Sequence, residues 1–270
     1  MEHLINPAVR ALKISGIRQF FDQVAKIPNA VQLTIGQPDF PTPLQAKQGA
    51  QAAIEHNRTA YTPNAGLPQL REAAARFVAE KYHLQYDPAE EVIVTIGASQ
   101  AIDITFRTIL DAESEVVLPG PTYPAYEAVA RLCGATPVYV DTTDTQFKLT
   151  PERLKEKISR KTRAVVLPYP SNPTGAVLSR EEVLALAQVL ANHDLFVVSD
   201  EIYSELTYDA PHFSIASLPE MREKTIVING LSKSHAMTGW RIGFAFAPAA
   251  IAQHLIKVHQ YNVSCASSIS

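Results

Sequence analysis

Cysteine is scarce in this chain, which has only Cys133 and Cys265 among its 270 residues. Two cysteines cannot supply the dense disulfide framework that stabilises small secreted proteins. No apolar run approaches the roughly 20 residues of a membrane-spanning helix, and the N-terminal residues lack the apolar centre of a signal peptide. We therefore expect a reduced, soluble, cytoplasmic protein without a membrane partner.

An excess of charge of either sign is also missing. The chain has 24 Lys and Arg against 27 Asp and Glu, a formal net charge of −3 at pH 7, and this balance does not favour nucleic acid as a partner. Neither a Walker A sequence nor the G-x-G-x-x-G pattern of dinucleotide-binding proteins occurs. The 8 histidines show no metal-ligand spacing. We expect neither a nucleic-acid partner nor a metal site.

What the chain does have is a regular alternation of apolar runs and helix-length segments from about residue 44 onward. EVIVTIG precedes SQAIDITFRTIL, for example, and RAVVLPYP precedes SREEVLALAQVLANH. This alternation predicts βαβ units and an α/β fold with a mainly parallel sheet flanked by helices. We expect residues 44–270 to form this large domain. Residues 1–43 are expected to form an N-terminal arm, with apolar residues at helical spacing over 17–27.

Polar residues follow the predicted strands where those strands end. In open α/β sheets, ligands bind beyond the carboxyl ends of the strands. Taken singly, each polar residue has an ordinary structural explanation, such as a turn, a helix cap or a solvated lysine. A hydroxyl, an amide, a carboxylate, two phenols and a lysine at one edge together favour a catalytic site. The residues concerned are Ser99, Tyr123, Asn172, Asp200, Tyr203 and Lys233.

Several motifs in this order resemble one family. The chain resembles the class I/II aminotransferases that use pyridoxal phosphate and have fold type I, such as aspartate aminotransferase. More narrowly, it is similar to the PatA-type N-acetyl-diaminopimelate aminotransferases of lysine biosynthesis. The resemblance extends over essentially the whole chain. The motifs are TIGQPDF (34–40), YTPNAG (61–66), GPTYP (120–124), SNPTG (171–175), SDEIY (199–203) and SKSHAMTGWRIG (232–243).

The resemblance implies a role for each side chain around the cofactor ring. Lys233 would form a Schiff base with the cofactor aldehyde and then carry a proton to and from the substrate Cα. Asp200 would keep a proton on the pyridine nitrogen, because a neighbouring carboxylate favours the charged ring. Tyr203 and Asn172 would hydrogen-bond the ring hydroxyl oxygen. Tyr123 would stack on the ring face.

The resemblance also implies a phosphate site and a substrate site. A helix N-terminus offers oriented N–H groups to a phosphate, and an arginine offers a planar pair of donors. The expected phosphate-binding residues are Ala98, Ser99, Ser232 and Arg241, joined by Tyr61 from a neighbouring subunit. A homodimer with shared sites is therefore expected. Gly36 and Asn172 would lie where the substrate binds.

Family members continue past the end of this sequence by roughly a hundred residues, a domain's worth. That segment forms a small C-terminal domain with an arginine for the substrate carboxylate, so we expect this domain to be absent here and turnover to be reduced. The expected reaction moves an amino group between an L-amino acid, with glutamate as donor, and a 2-oxo acid. Two alternatives stay open: a carbon–sulfur β-lyase on the same scaffold, and a chain that binds pyridoxal phosphate without turnover.

Overall fold

The computed structural model describes residues 1–13, 16, 20, 24, 26–31, 33 and 35–270. A short helix, α1 (Pro7–Ala11), begins after Asn6. The side-chain oxygen of Asn6 accepts a hydrogen bond from Ala8 N–H at 2.9 Å, which satisfies one of the free donors at the helix start. Most of the predicted arm helix over 17–27 lies outside the described residues.

A seven-stranded sheet organises the described part of the chain. Its strands are β1 (Val92–Thr95), β2 (Glu115–Gly120), β3 (Thr136–Asp141), β4 (Thr162–Leu167), β5 (Phe196–Asp200), β6 (Thr225–Gly230) and β7 (Gly243–Phe246). Their order across the sheet is β1-β7-β6-β5-β4-β2-β3. Neighbouring strands are parallel except that β7 is antiparallel to both β1 and β6. This arrangement confirms the predicted α/β fold with a mainly parallel sheet.

Helices connect and cover the strands. They are α2 (Leu44–Glu55), α3 (Pro68–Tyr82), α4 (Gly97–Ile109), α5 (Ala125–Leu132), α6 (Pro151–Lys157), α7 (Arg180–Leu190), α8 (Pro219–Arg222), α9 (Leu231–Ser234) and α10 (Ala249–Asn262). Local sequence sets where they begin. Ser179 and Glu182, for example, exchange reciprocal side-chain and backbone hydrogen bonds at the start of α7. Within the described residues, no helix has the length and apolar character needed to cross a membrane.

Both faces of the sheet are buried, and side chains alternate between them along each central strand. In β4, Ala164 and Val166 join the core formed with α4, α5 and α10. Val165 and Leu167 join the core formed with α6 and α7 on the opposite face. Burial on both faces explains why the central strands are near-continuous apolar runs rather than alternating polar and apolar residues.

The direction of the strands defines one functional edge of the sheet. The carboxyl ends of β1 to β6 meet there, because these six strands run the same way. Since β7 runs the other way, it contributes its beginning, Gly243, to the same edge. The segment before β7 is therefore brought beside the segments that follow the parallel strands.

Candidate active site

The structure places most of the predicted site residues, but not Gly36 and Tyr61, on the segments at this edge. Ala98 and Ser99 lie in the first turn of α4, after β1. The segment after β2 carries Tyr123, and the segment after β4 carries Asn172. Asp200 is the last residue of β5, and Tyr203 follows it. The short helix α9, directly after β6, carries Ser232 and Lys233. Arg241 lies two positions before Gly243, the first residue of β7, and has left-handed backbone angles, with φ of 59°.

The Asp200 carboxylate is buried, with 5% of its surface exposed. Tyr126 Oη donates to its Oδ2 at 2.7 Å, and Ile202 N–H donates to its Oδ1 at 3.2 Å. Burial raises the pKa of Asp200 to about 6, while these two hydrogen bonds oppose the rise and the neighbouring Glu201 charge adds to it. No described Lys, Arg or His forms an ion pair with Asp200. The edge thus presents a buried acid without a counter-charge.

The Lys233 amine faces the arm and a tyrosine. Its Nζ donates a hydrogen bond to the Gly36 carbonyl oxygen and lies 5.4 Å from the centre of the Tyr203 ring. Burial lowers the pKa of Lys233, and the positive charge of Arg241 lowers it further. A Cβ at Gly36 would lie 3.2 Å from Tyr203 Oη, so a larger residue would crowd this contact. The arm, α9 and the segment after β5 therefore meet at Lys233.

Glycines bring Arg241 and the start of α4 into close contact. A Cβ on Gly97 would lie 2.5 Å from Arg241 Nη2, and a Cβ on Gly243 would lie 2.5 Å from the Ala98 amide nitrogen. Arg241 Nη1 donates to Thr238 O at 3.0 Å, and its Nη2 donates to a backbone carbonyl before α4 at 3.4 Å. A guanidinium thus lies beside the free N–H groups of a helix start, an arrangement suited to a phosphate.

The structure does not bring every predicted residue into this set of contacts. Tyr61 is 89% exposed and makes no hydrogen bond or aromatic contact with the residues around Lys233. The Asn172 side chain is half-buried and has no hydrogen bond to another described residue. Ser99 is exposed, whereas Ser232 is buried. Tyr123 reaches the Asp200 region through an edge-on contact with the Tyr126 ring, with centroids 5.7 Å apart.

Tyr126 is a site residue that sequence reasoning missed. It lies on the buried face of α5, three residues after Tyr123, and is 2% exposed. Its hydrogen bond with Asp200 joins residues 74 positions apart in the chain. A tyrosine on the apolar face of a helix carries no signal of such a contact, although a phenol in a core usually has a polar partner.

A second carboxylate beside Asp200 was also missed. Glu201 is fully buried, and its Oε1 accepts hydrogen bonds from Ser199 Oγ at 2.8 Å and Ser214 Oγ at 2.6 Å. His212 Nε2 lies 3.0 Å from Oε2, but neither atom has a hydrogen-bond partner among the described residues. These contacts join the two ends of the loop that carries Tyr203.

The side chains present fit the pyridoxal phosphate that the motifs imply. The buried acid at Asp200 lacks a counter-charge, which a protonated pyridine ring would supply. Because Gly97 has no side chain, the Arg241 guanidinium packs directly against the start of α4, where a phosphate would meet both the guanidinium and the helix N–H groups. An amine with a lowered pKa lies on the same edge, as bond formation with an aldehyde requires. The donor set therefore matches a ring nitrogen, a phosphate and an aldehyde.

Comparison with known protein families supports the same type of site, and it does so independently of this geometry. The family model described as "Aminotransferase class I and II" matches residues 28–270. The chain is 58% identical over 270 residues to a probable N-acetyl-LL-diaminopimelate aminotransferase of Bacillus subtilis, covering 100% of this chain and 68% of that protein. It is 40% identical over 264 residues to an aspartate aminotransferase of Pyrococcus abyssi, covering 97% of this chain and 66% of that protein.

Solved structures agree with the fold. An aspartate aminotransferase from Thermus thermophilus, solved with maleate, superposes with a TM-score of 0.93 at 37% identity. That match covers 98% of this chain and 70% of the Thermus chain. The chain thus spans about two thirds of the length of these relatives. All three bear aminotransferase names, which favours amino-group transfer over β-elimination.

The raised pKa of Asp200 predicts a pH-dependent stability for the cofactor-free chain. The pKa of Asp200 is 3.8 in the unfolded chain and about 6 in the folded chain. Between these two pH values the folded chain keeps a proton on Asp200 that the unfolded chain has lost. Raising the pH through this range therefore creates a buried charge and lowers the free energy of unfolding. In urea titrations, an Asp200→Asn variant should gain about 1.4 kcal/mol in unfolding free energy, relative to the parent chain, between pH 5 and pH 8.

The constant effect of the altered hydrogen bonds cancels in this comparison of two pH values. Asp209→Asn, in an exposed loop, is the matched control and should show no such change. A difference between the Asp200→Asn variant and the parent that stays flat across this pH range would contradict the assignment.

Proposed function

Because this chain belongs to the class I and II aminotransferases, we propose that its Lys233 amine is the group that binds pyridoxal phosphate covalently and moves protons at the substrate. The observation that carries this proposal is the position of Lys233. It follows β6 directly, on the sheet edge that also holds Asp200 and Arg241, and its charge is disfavoured there.

The environment of Lys233 supports both parts of its role. A lowered pKa increases the fraction of neutral amine, which is the form that attacks an aldehyde and accepts a proton. The contacts with the Gly36 carbonyl and the Tyr203 ring hold the amine at the edge rather than in bulk solvent. The same amine would take the proton from the substrate Cα.

Asp200 is proposed to hold the ring nitrogen in its protonated form. When bound, the cofactor ring supplies a sink for the electron pair that remains after the substrate Cα loses its proton. The Tyr126 hydrogen bond keeps the Asp200 carboxylate in one orientation. Tyr203 and Asn172 are proposed partners of the ring hydroxyl oxygen, and Tyr123 of the ring face.

The start of α4 is proposed to bind the phosphate. The first turn, through Ala98 and Ser99, offers N–H groups, and Arg241 is already packed against it. Ser232 adds a hydroxyl from the turn after β6. Gly36 and Asn172 are proposed to border the substrate, since Gly36 already contacts Lys233. We name the backbone of residues 96–99 together with Arg241 the phosphate cradle.

Covalent trapping tests the role of Lys233. We expect borohydride reduction of the chain with pyridoxal phosphate, followed by peptide mass spectrometry, to place the cofactor mass on the peptide that contains Lys233. The Lys233→Ala variant should lose this label and the accompanying visible absorption. Lys257→Ala, an exposed lysine on α10, is the control and should keep both. Label that persists in Lys233→Ala would overturn the proposal.

The substrate proposal rests on similarity. The chain is 58% identical to a probable N-acetyl-LL-diaminopimelate aminotransferase, so we propose that glutamate is the amino donor and that the 2-oxo acid corresponding to N-acetyl-LL-diaminopimelate is the acceptor. In the net reaction, glutamate and this oxo acid give 2-oxoglutarate and N-acetyl-LL-diaminopimelate, and the reverse direction carries nitrogen from N-acetyl-LL-diaminopimelate to 2-oxoglutarate. We expect ¹⁵N from the free α-amino group of N-acetyl-LL-diaminopimelate to reach 2-oxoglutarate faster than ¹⁵N from aspartate.

Faster transfer from aspartate would contradict this substrate assignment while leaving the aminotransferase reaction intact. Release of ammonia and pyruvate from a cysteine conjugate, without ¹⁵N transfer to an oxo acid, would instead indicate the β-lyase alternative. A Lys233 adduct with neither reaction would indicate binding without turnover.

We also propose a homodimer in which Tyr61 reaches the neighbouring phosphate. Tyr61 is exposed in the single chain, as are the apolar arm residues Val31, Leu33 and Phe40, and such surfaces are typical of interfaces. Sedimentation should give twice the chain mass. Mixing Tyr61→Ala and Lys233→Ala chains should restore cofactor binding in one site of each mixed dimer, whereas a monomer would show no restoration.

The division into an arm (1–43) and a domain (44–270) and the cytoplasmic location stay predictions.

A further inference from the structure

Two buried polar side chains, Gln100 and His259, have no role in the site as described so far. His259 lies on α10 and is fully buried, and Gln100 lies in the first part of α4 and is also buried. Gln100 Nε2 is 3.1 Å from His259 Nδ1. Buried polar groups of this kind are costly unless they are paired, so the contact calls for a physical explanation.

The other end of the Gln100 amide explains what the pair does locally. Gln100 Oε1 accepts a hydrogen bond from Ile96 N–H at 2.7 Å. Ile96 is the residue before α4, and its carbonyl accepts from Arg241 Nη2 at 3.4 Å. The peptide groups on the two sides of Ile96 are thus held by Gln100 and by Arg241. Both hydrogen bonds fix the backbone of the phosphate cradle.

The direction of these hydrogen bonds determines the state of His259. Because Gln100 Oε1 accepts from Ile96, the Nε2 group must point to His259 and donate to it. Nδ1 must then carry a lone pair, as in a neutral imidazole. Burial lowers the pKa of His259, with a smaller opposing effect from the Asn64 backbone, and this favours the neutral ring.

The same helix also contacts the loop that carries Tyr61. The Asn64 backbone lies beside the His259 ring, and Asn64 Nδ2 donates to Ser264 O, just beyond α10, at 2.9 Å. The start of α4 and the loop of Tyr61 therefore both rest on the C-terminal part of α10. These are the two segments proposed to meet a phosphate.

We propose that Gln100 and His259 are positioning residues for the phosphate cradle, acting through the hydrogen bond from Ile96 N–H to Gln100. His259 holds the Gln100 amide in the orientation that presents Oε1 to Ile96. Gln100 then holds the turn that offers N–H groups to the phosphate. This inference rests on the proposed cofactor site and adds two residues that do not touch the cofactor.

The test compares the affinity of the chain for pyridoxal phosphate with its affinity for pyridoxal, which lacks the phosphate. Gln100→Leu should weaken pyridoxal phosphate binding about tenfold, which corresponds to about 1.4 kcal/mol, the scale of one hydrogen bond. Pyridoxal affinity should change less than about twofold. His259→Leu should act in the same direction, and His259→Asn, which restores an acceptor near Nδ1, should recover most of the loss.

Gln253→Leu, on the exposed side of α10, is the matched control and should leave both affinities unchanged. Gln100→Glu keeps an oxygen for Ile96 N–H and provides a second test if a leucine variant fails to fold. Its preference for pyridoxal phosphate over pyridoxal should fall less than that of Gln100→Met. Equal loss of both affinities, or an unchanged ratio in the folded variants, would overturn the positioning role. A parent chain that binds pyridoxal as tightly as pyridoxal phosphate would instead refute the phosphate cradle itself.

Discussion

The pairing of Gly230 with Gly243 is the constraint on which the site depends. These residues are opposite each other at the edge where β6 ends and β7 begins. A Cβ on Gly230 would lie 2.9 Å from Ile242 O, so the two strands approach this closely only because the side chain is missing. The short segment between these two glycines leaves the sheet at the end of β6 and returns to it at the start of β7. Lys233 lies near its start and Arg241 near its end, and this brings two positive charges together.

The proximity of Lys233 and Arg241 is unfavourable in the chain without ligand, because two positive charges repel each other, but it would help the proposed reaction. Arg241 and burial both lower the pKa of Lys233, so the fold favours the neutral amine that bond formation with an aldehyde needs. On the neighbouring strand, burial raises the pKa of Asp200 in a place that no described cation neutralises. Each group is held in a state that is unfavourable without a ligand, and a ligand with an anionic phosphate and a cationic ring relieves both. Functional sites commonly carry such perturbed groups at the expense of stability.

The sequence predicted the layered fold and the edge on which the site lies, because apolar runs alternating with helices indicate parallel strands. It did not reveal the direction of β7, since the runs of parallel and antiparallel core strands look alike. The residues proposed to touch the ligand could be named from the sequence because most of them follow strands and match motifs. Tyr126, Gln100 and His259 could not, since their polar atoms lie on buried helix faces and meet partners far away in the chain. Their roles exist only once α4, α5 and α10 are packed.

This division has a physical origin in how the phosphate cradle is built. Its proposed donors are mainly backbone N–H groups at the start of a helix. Among substitutions, only a change to proline removes a backbone N–H group. The contribution of these backbone groups can therefore be adjusted by moving them. Gln100, which holds the Ile96 peptide, and Arg241, which holds its carbonyl, are the side chains placed to do so. In the proposed site, the side chains behind the backbone are therefore a variable that would set phosphate affinity in addition to the direct donors.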